Sequence, residues 1–314
     1  MEGDEGSRSL LTPAAPGAAE RFFVYLYHLA AGIGATERCE PRGLHHPQVA
    51  HPEWYHWLPR AQKPKVSKEL ALVRLKFAKL ILRLSKAILR EKLSLSLDGV
   101  ILTLPPKDAT DRANFCSYGD THMWRKRGEA AHPDLAGDDP YPDQVPVSRA
   151  VPMWGGISEG GVAIVTFHEQ KKIVTPEWVK VVNAGKLKNA IQSISPVKPR
   201  GPWQVLCDGE KFLWTGASEA ACAACGVSMW RVPPKSPDLN PIEKYWGWLR
   251  KQLRLKDLAD MRAKRPVISK LAYKARVRAI CDTQKAKHVA SKFAGDMRRV
   301  CKEVIKKKGQ RSRS

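Results

Sequence analysis

The run SPDLNPIEKYWGWLRKQLR at residues 236–254 constrains the fold of this chain more than any other stretch. Asn240 and Pro241 favour the N-cap and the first position of a helix, and Glu243 follows in a capping-box-like start. The run therefore predicts a turn followed by a helix, and it leaves open whether Glu243 caps that helix or serves a catalytic site. The apolar residues that recur at helical spacing, and that we expect to be buried, are Ile242, Trp246, Leu249 and Leu253.

Short apolar runs upstream of this helix have the length and composition of buried strands. WQVLCDG (203–209) and VSMWRVP (227–233) are two of them, and ASEAACAAC (217–225) between them is typical of a helix. Together with GGVAIVTFH (160–168), this alternation indicates a mixed α/β sheet with helices on its faces. Asp208 follows the first run, at a strand end where such sheets bind ligands. A turn-forming Asp-Gly pair is the alternative interpretation.

The first part of the chain shows contrasting patterns. Residues 1–66 are rich in Pro, Gly and His and predict an irregular N-terminal arm. Residues 67–93 predict one long helix, and DGVILTLPPKDATD (98–111) predicts a strand because the hydrophobic period changes there. The apolar positions that define the predicted helix are Leu70, Val73, Phe77, Leu80, Leu84 and Ile88.

The charge distribution points to a polyanionic partner. The chain carries a net charge of +23, and residues 251–314 contain 21 basic and 5 acidic side chains. Such a segment indicates nucleic acid, while a solubilising or nuclear-targeting tail is the alternative for residues 306–314. Seven scattered cysteines indicate a reducing compartment, and no apolar run is long enough to span a bilayer.

Two stretches of the basic segment, 265–281 and 285–308, have apolar residues at helical spacing among their cations. We expect amphipathic helices that pack on the body of the protein and face DNA phosphates, contacts that position DNA without reading its sequence. Solvated helices without a ligand are the alternative. The predicted DNA-binding side chains, on these helices and on the preceding one, are Lys244, Arg250, Lys251, Arg254, Lys274, Arg276, Arg278, Arg298 and Arg299.

A family resemblance favours the catalytic interpretation of the acids. SPDLNPIE followed by an aromatic-rich helix resembles the third catalytic motif of the mariner superfamily of DDE/D transposases. MWGGIS (153–158) and THMWRKRGE (121–129) resemble two further stretches of that family. The 34 residues between Asp208 and Glu243 equal the spacing of one large branch. The resemblance covers roughly residues 70–250.

The resemblance implies a ribonuclease-H-like fold whose three carboxylates bind two Mg²⁺ or Mn²⁺ ions. Asp208 and Glu243 are two of the implied ligands. The third is Asp108, placed by counting back from the Trp-Arg stretch, with Asp98 and Asp111 as rivals. Hard oxygen ligands suit Mg²⁺, and two ions can activate a nucleophile and stabilise a leaving oxygen during phosphodiester cleavage.

These expectations divide the chain into an arm (1–66), a ribonuclease-H-like catalytic domain (67–250) and a basic helical extension (251–314). The expected function is that of a transposase-like DNA endonuclease and strand transferase. We expect it to work in the nucleus as a homodimer on DNA, without a membrane or a small-molecule cofactor.

One alternative function comes from the residues that follow the two aspartates. Ala109 and Gly209 stand where the family usually has Glu and Asn. A catalytically inactive DNA- or chromatin-binding protein derived from a transposase is therefore the second hypothesis.

Overall fold

In the described part of the chain, seven strands form two sheets. The computed structural model describes residues 66–105, 147–195, 199 and 201–311, together with the backbone of 56–59 and 122–125. The strands are β1 (His56–Pro59), β2 (Leu93–Thr103), β3 (His122–Arg125), β4 (Ala150–Ser158), β5 (Gly161–Phe167), β6 (Trp203–Cys207) and β7 (Val227–Arg231).

The main sheet has five strands in the order β5-β4-β2-β6-β7, and β1 pairs with β3 in a separate antiparallel ribbon. β2, β4 and β5 form an antiparallel meander, whereas β6 and β7 run parallel to β2. Helices connect the parallel strands, as parallel pairing requires. The predicted mixed sheet is confirmed, with β2 at its centre.

Nine α-helices occur in the described part of the chain. They are α1 (Lys68–Arg83), α2 (Lys86–Lys92), α3 (Thr175–Asn183), α4 (Lys186–Ile194), α5 (Gly216–Ala224), α6 (Pro241–Arg262), α7 (Lys270–Cys281), α8 (Gln284–Gly295) and α9 (Met297–Lys306). Short 3₁₀ turns at Lys211–Trp214 and Pro237–Leu239 precede α5 and α6.

Hydrophobic cores lie on both faces of the main sheet. On one face, α6, α7 and α8 cover a core that contains Val100 and Trp246. On the other, α3, α4 and α5 cover a core that contains Leu95 and Trp178. Since successive residues of a strand point to opposite faces, Asp98 belongs to the same face as Val100, the face that α6 covers.

The predicted long helix at 67–93 is wrong in two respects. The helix ends at Arg83, and Ser85 starts α2 by accepting a hydrogen bond from the Ile88 amide at 3.1 Å. The predicted apolar positions Val73 and Leu80 are 46% and 44% exposed. The face that α1 buries against α9 consists of Ala71, Arg74, Phe77, Ala78 and Ile81.

The predicted strand at 98–111 starts earlier than expected. β2 begins at Leu93, so Asp98 lies in its middle rather than at its start. Leu93 to Leu97 alternate leucine with serine, the period of a strand, and this stretch directly follows α2. Residues 106–111 lie outside the described residues.

The C-terminal helices pack onto the sheet. α6 continues through residue 250 to Arg262, and its predicted stripe of apolar residues is buried. Tyr273 and Val277 of α7 and Ala290 of α8 lie in the core that α6 shares with β2 and β4. Among the described residues, no helix combines the length and apolarity needed to cross a membrane.

Candidate active site

Asp98 is a buried carboxylate in the centre of the sheet. Its side chain is on the α6 face of β2, and the residue is 7% exposed. The indole Nε1 of Trp246 donates a hydrogen bond to Asp98 Oδ2 at 3.1 Å. Helix α6 therefore contacts this carboxylate directly, through the residue one turn after Glu243.

One glycine of β4 allows this contact. A Cβ at Gly155 would lie 2.9 Å from Cη2 of Trp246, so the missing side chain lets the Trp246 ring lie on the sheet beside Asp98. A Cβ at the next residue, Gly156, would overlap Leu95 on the other face. The MWGGIS stretch of the sequence therefore has a packing role at the site.

Asp208 lies immediately after β6, as the sequence predicted. The parallel register pairs Ser96 of β2 with Leu206 of β6, so Asp98 and Asp208 are each two residues beyond the last paired position. Asp208 is half-buried. Its Oδ1 accepts a hydrogen bond from the Glu210 amide at 3.2 Å, and its carbonyl accepts one from Trp214 Nε1 at 2.9 Å.

Glu243 is the third residue of α6 and is exposed. Asn240 is the N-cap residue, but its side chain makes no capping hydrogen bond to the helix. Instead, its Nδ2 donates to the Leu97 carbonyl at 3.5 Å, one residue before Asp98. This contact fixes the start of α6 against the centre of β2, and it brings Glu243 to the same edge of the sheet.

Asp98 interacts electrostatically with both of the other carboxylates. Burial raises the pKa of Asp98 well above its usual value, and the charges of Glu243 and Asp208 raise it further. Burial also raises the pKa of Asp208, an effect that the Glu210 amide and the Arg231 guanidinium oppose. A bound cation would relieve the penalty on ionised Asp98.

A cleft of about 900 Å³ opens onto two of these three acids. Asp98 and Asp208 line it together with Lys171, Lys172 and Arg250. Cations around a carboxylate centre suit a substrate whose own charge is negative.

The carboxylate oxygens suit hard divalent cations, but each ion would be held by a pair of acids rather than by all three acids together. Among the described residues, no group of three or more His, Cys, Asp or Glu side chains is arranged to hold a single ion. Mg²⁺ retains several waters and is usually held by one or two carboxylates together with substrate phosphates. Asp98 interacts with Asp208 and with Glu243, so it is the residue that both pairs would share.

Asp108, the first carboxylate predicted from the sequence, lies outside the described residues, as does its rival Asp111, and that assignment stays a prediction. The described structure instead brings the third candidate, Asp98, to Asp208 and Glu243. The alternation of leucine and serine before Asp98 is the sequence pattern that could have extended the strand backwards and favoured this residue.

Several predicted DNA-binding cations have partners inside the molecule. Arg298 donates to the carbonyl of Leu84 at the end of α1. The other pairs are Lys274 with Glu169, Arg276 with Asp257 and Asp260, Arg299 with Asp296 and Glu303, and the Arg278 guanidinium over the Phe167 ring.

One family model matches part of the chain. The sequence model of the DDE superfamily endonuclease family matches residues 129–263. No curated protein matches the chain. Residues 129–263 thus resemble a DDE superfamily endonuclease domain, in agreement with the family resemblance seen in the sequence.

Among solved structures, the Mos1 mariner transposase shares the fold. Its catalytic domain matches with a TM-score of 0.52 at 9% identity, over 80% of this chain and 100% of that one. The same domain with raltegravir and Mg matches with a TM-score of 0.51 at 9% identity, over 79% of this chain and 99% of that one. A pre-cleavage Mos1 transpososome matches with a TM-score of 0.51 at 11% identity, over 99% of this chain and 84% of that one. The predicted ribonuclease-H-like fold and the resemblance to a divergent mariner-type transposase are confirmed.

Proposed function

We propose that this chain is a metal-dependent DNA endonuclease and strand transferase whose carboxylate triad is Asp98, Asp208 and Glu243. The observation that carries the proposal is the position of Asp98: the register of β2 with β6 and the hydrogen bond from Trp246 place it beside Asp208 and the start of α6, where it interacts electrostatically with both other acids. In this proposal Asp98 takes the position that the sequence pattern assigned to Asp108.

The proposed reaction has two steps at phosphorus. Water attacks a DNA phosphodiester, a new P–O bond forms, and the P–O3′ bond breaks to release a 3′-hydroxyl and a 5′-phosphate. That 3′-hydroxyl then attacks a phosphodiester of target DNA and displaces its 3′ oxygen. Two Mg²⁺ or Mn²⁺ ions on the triad would activate the attacking oxygen and stabilise charge on the leaving one.

The residues of this chain would divide the work. Asp98 would contribute to both cation sites, while Asp208 and Glu243 would each complete one. Trp246 would hold Asp98 by its hydrogen bond to Oδ2. Lys171 and Lys172 line the same cleft and would attract the phosphate backbone.

Metal is part of the proposal because the donor set is made of oxygen ligands. The Mos1 catalytic domain has the same fold as this chain, and its structure has been solved with Mg and with Mn. A Mos1 paired-end complex with the left transposon end matches with a TM-score of 0.50 over 98% of this chain. The last similarity supports DNA as the partner, and the proposal keeps the predicted homodimer on DNA as the working state.

The remaining predicted features enter the proposal unchanged. Lys244, Arg250, Lys251 and Arg254 lie along α6, beyond Glu243, and would contact DNA phosphates there. Nuclear location follows from the DNA substrate and the basic tail.

Nicking of supercoiled plasmid tests this proposal. Purified wild-type protein should nick in Mn²⁺ or Mg²⁺ and not in EDTA, whereas Asp208→Asn should be inactive in all three. Equal nicking by wild type and Asp208→Asn would overturn the catalytic claim. It would favour a DNA-binding protein without chemistry.

A further inference from the structure

A second groove lies along helix α1. It has a volume of about 550 Å³ and lies between α1 and the residues that follow β7. Phe77, Leu80 and Pro233 contribute to its apolar floor. We call this feature the α1 groove, and the proposed triad does not account for it.

Four cations line the α1 groove: Lys76, Lys79, Arg83 and Arg231. No acidic residue lines it in the part of the chain that the structure describes. Within that part, Lys76, Lys79 and Arg83 also form no salt bridge, in contrast to the paired cations of α7 and α9. Their charges are therefore available to an external anion.

The spacing of these cations suits a DNA strand. Lys76, Lys79 and Arg83 follow one another at three and four residues, so they share one face of α1. Seven residues of helix span about 10 Å, and one strand of duplex DNA advances about 3.4 Å per nucleotide along its axis. The three side chains therefore cover about three phosphate steps.

Arg231 connects the groove to the candidate active site. Its Nη2 lies 3.5 Å from the Gly209 carbonyl, directly after Asp208, and its guanidinium lies 5.1 Å from the Trp214 ring centroid. The same residue lines the α1 groove. A DNA backbone that reaches Asp208 could therefore continue past Arg231 onto α1 and stay next to positively charged side chains along this path.

We propose that the α1 groove binds the backbone of the DNA that extends from the carboxylate cleft. Lys76, Lys79 and Arg83 contact successive phosphates, and the apolar floor faces the deoxyriboses. This interface differs from the one predicted on α7 to α9, and it rests on DNA being the substrate of the proposed function.

The test compares two triple variants that remove the same charge. Lys76→Gln/Lys79→Gln/Arg83→Gln alters the groove. Lys180→Gln/Lys186→Gln/Lys188→Gln alters three lysines of α3 and α4, the helices on the other face of the sheet, and serves as the matched control. Binding of a short fluorescent duplex is followed by anisotropy in EDTA, between about 50 and 200 mM salt, so that no cleavage occurs.

The groove variant should flatten the plot of log K against log salt by about 2 to 3 slope units, because each lost phosphate contact removes about 0.9. The control should keep the wild-type slope. Equal slopes for all three proteins, or equal losses in both variants, would overturn the proposal.

Two further outcomes identify the cause of a failure. If a fluorescent poly-glutamate peptide loses binding in the groove variant while the DNA slope stays unchanged, the groove belongs to an acidic protein segment and the proposal is wrong. The anisotropy assay needs no metal, so it tests DNA binding separately from cleavage. If wild-type protein fails to nick plasmid but the groove variant still flattens the salt dependence, the proposed chemistry is overturned and the proposed DNA-binding role of the groove stands. Melting temperatures of the variants should stay close to wild type, since substitutions of surface side chains change stability little.

Discussion

The ion pair between Arg74 and Asp238 offers a quantitative test of how the SPDLNPIE turn is held. Arg74 is fully buried and donates to Asp238 Oδ1 and Oδ2 at 2.9 and 2.7 Å. Its Nε donates to the Gly309 carbonyl at 2.8 Å. One guanidinium thus connects α1, the turn that leads into Glu243 and the residues after α9.

Removing one partner of such a pair leaves a charge without its counter-ion. Loss of one partner of a buried ion pair costs about 3–5 kcal/mol, whereas replacing both partners by apolar residues of similar size is often close to neutral. Arg74→Met and Asp238→Leu should therefore each lower the free energy of unfolding by about 3–5 kcal/mol. The double variant should lose less than either single variant.

Urea unfolding of the four proteins, followed by circular dichroism, measures this cycle. At about 2–4 °C per kcal/mol, each single variant should also melt roughly 6–20 °C lower than wild type. Additive losses in the double variant would refute the reasoning, because they would show that the two side chains contribute independently.

Three further predictions concern the packing and charge of the site. Gly155→Ala should lower the unfolding free energy by about 1–3 kcal/mol, measured in urea, because its Cβ displaces the Trp246 ring, and unchanged stability would contradict that contact. Trp246→Phe should keep most of the packing but reduce Mn²⁺-dependent nicking about tenfold, since Asp98 loses a hydrogen bond worth about 1.4 kcal/mol in positioning; full nicking would refute this role. The pKa of Asp98 is raised in the folded protein, so the unfolded chain loses this proton first as the pH rises. Without metal, the free energy of unfolding of wild type should therefore fall by about 1.4 kcal/mol per pH unit above about pH 4. The fall should stop where Asp98 ionises in the folded protein. Asp98→Asn should lack that fall and be the more stable protein at pH 7, and a less stable variant in urea titrations at several pH values would contradict the sign.

Periodicity predicted the elements around the site because each one buries a single regular face. β5, β6, β7 and the start of α6 lie where the apolar patterns indicated. The run at Ile242 to Leu253 was the clearest case, since its residues cover β2 and β4. A pattern of this kind reports which face is buried, and it needs no knowledge of the partner.

Other features depend on contacts between residues far apart in the chain. Arg74 is buried because it pairs with Asp238, which is 164 residues away in the chain. The buried face of α1 was mispredicted for the same reason, because α9 covers the side that carries Arg74. No local pattern contains that information.

The first carboxylate shows the same limit within the site. Counting back from a motif selected Asp108, whereas the described structure brings Asp98 to Asp208 because β2 and β6 are neighbouring parallel strands. Strand pairing, and the hydrogen bond from Trp246 of α6, decide which aspartate lies beside the other two acids.

Calorimetric titration of Mn²⁺ tests the central claim, that Asp98 belongs to the metal-binding triad, most directly. Wild type and Asp108→Asn should bind Mn²⁺ with the same affinity and stoichiometry, while Asp98→Asn should lose binding. Loss of binding in Asp108→Asn together with wild-type binding in Asp98→Asn would contradict the account and return the first carboxylate to Asp108.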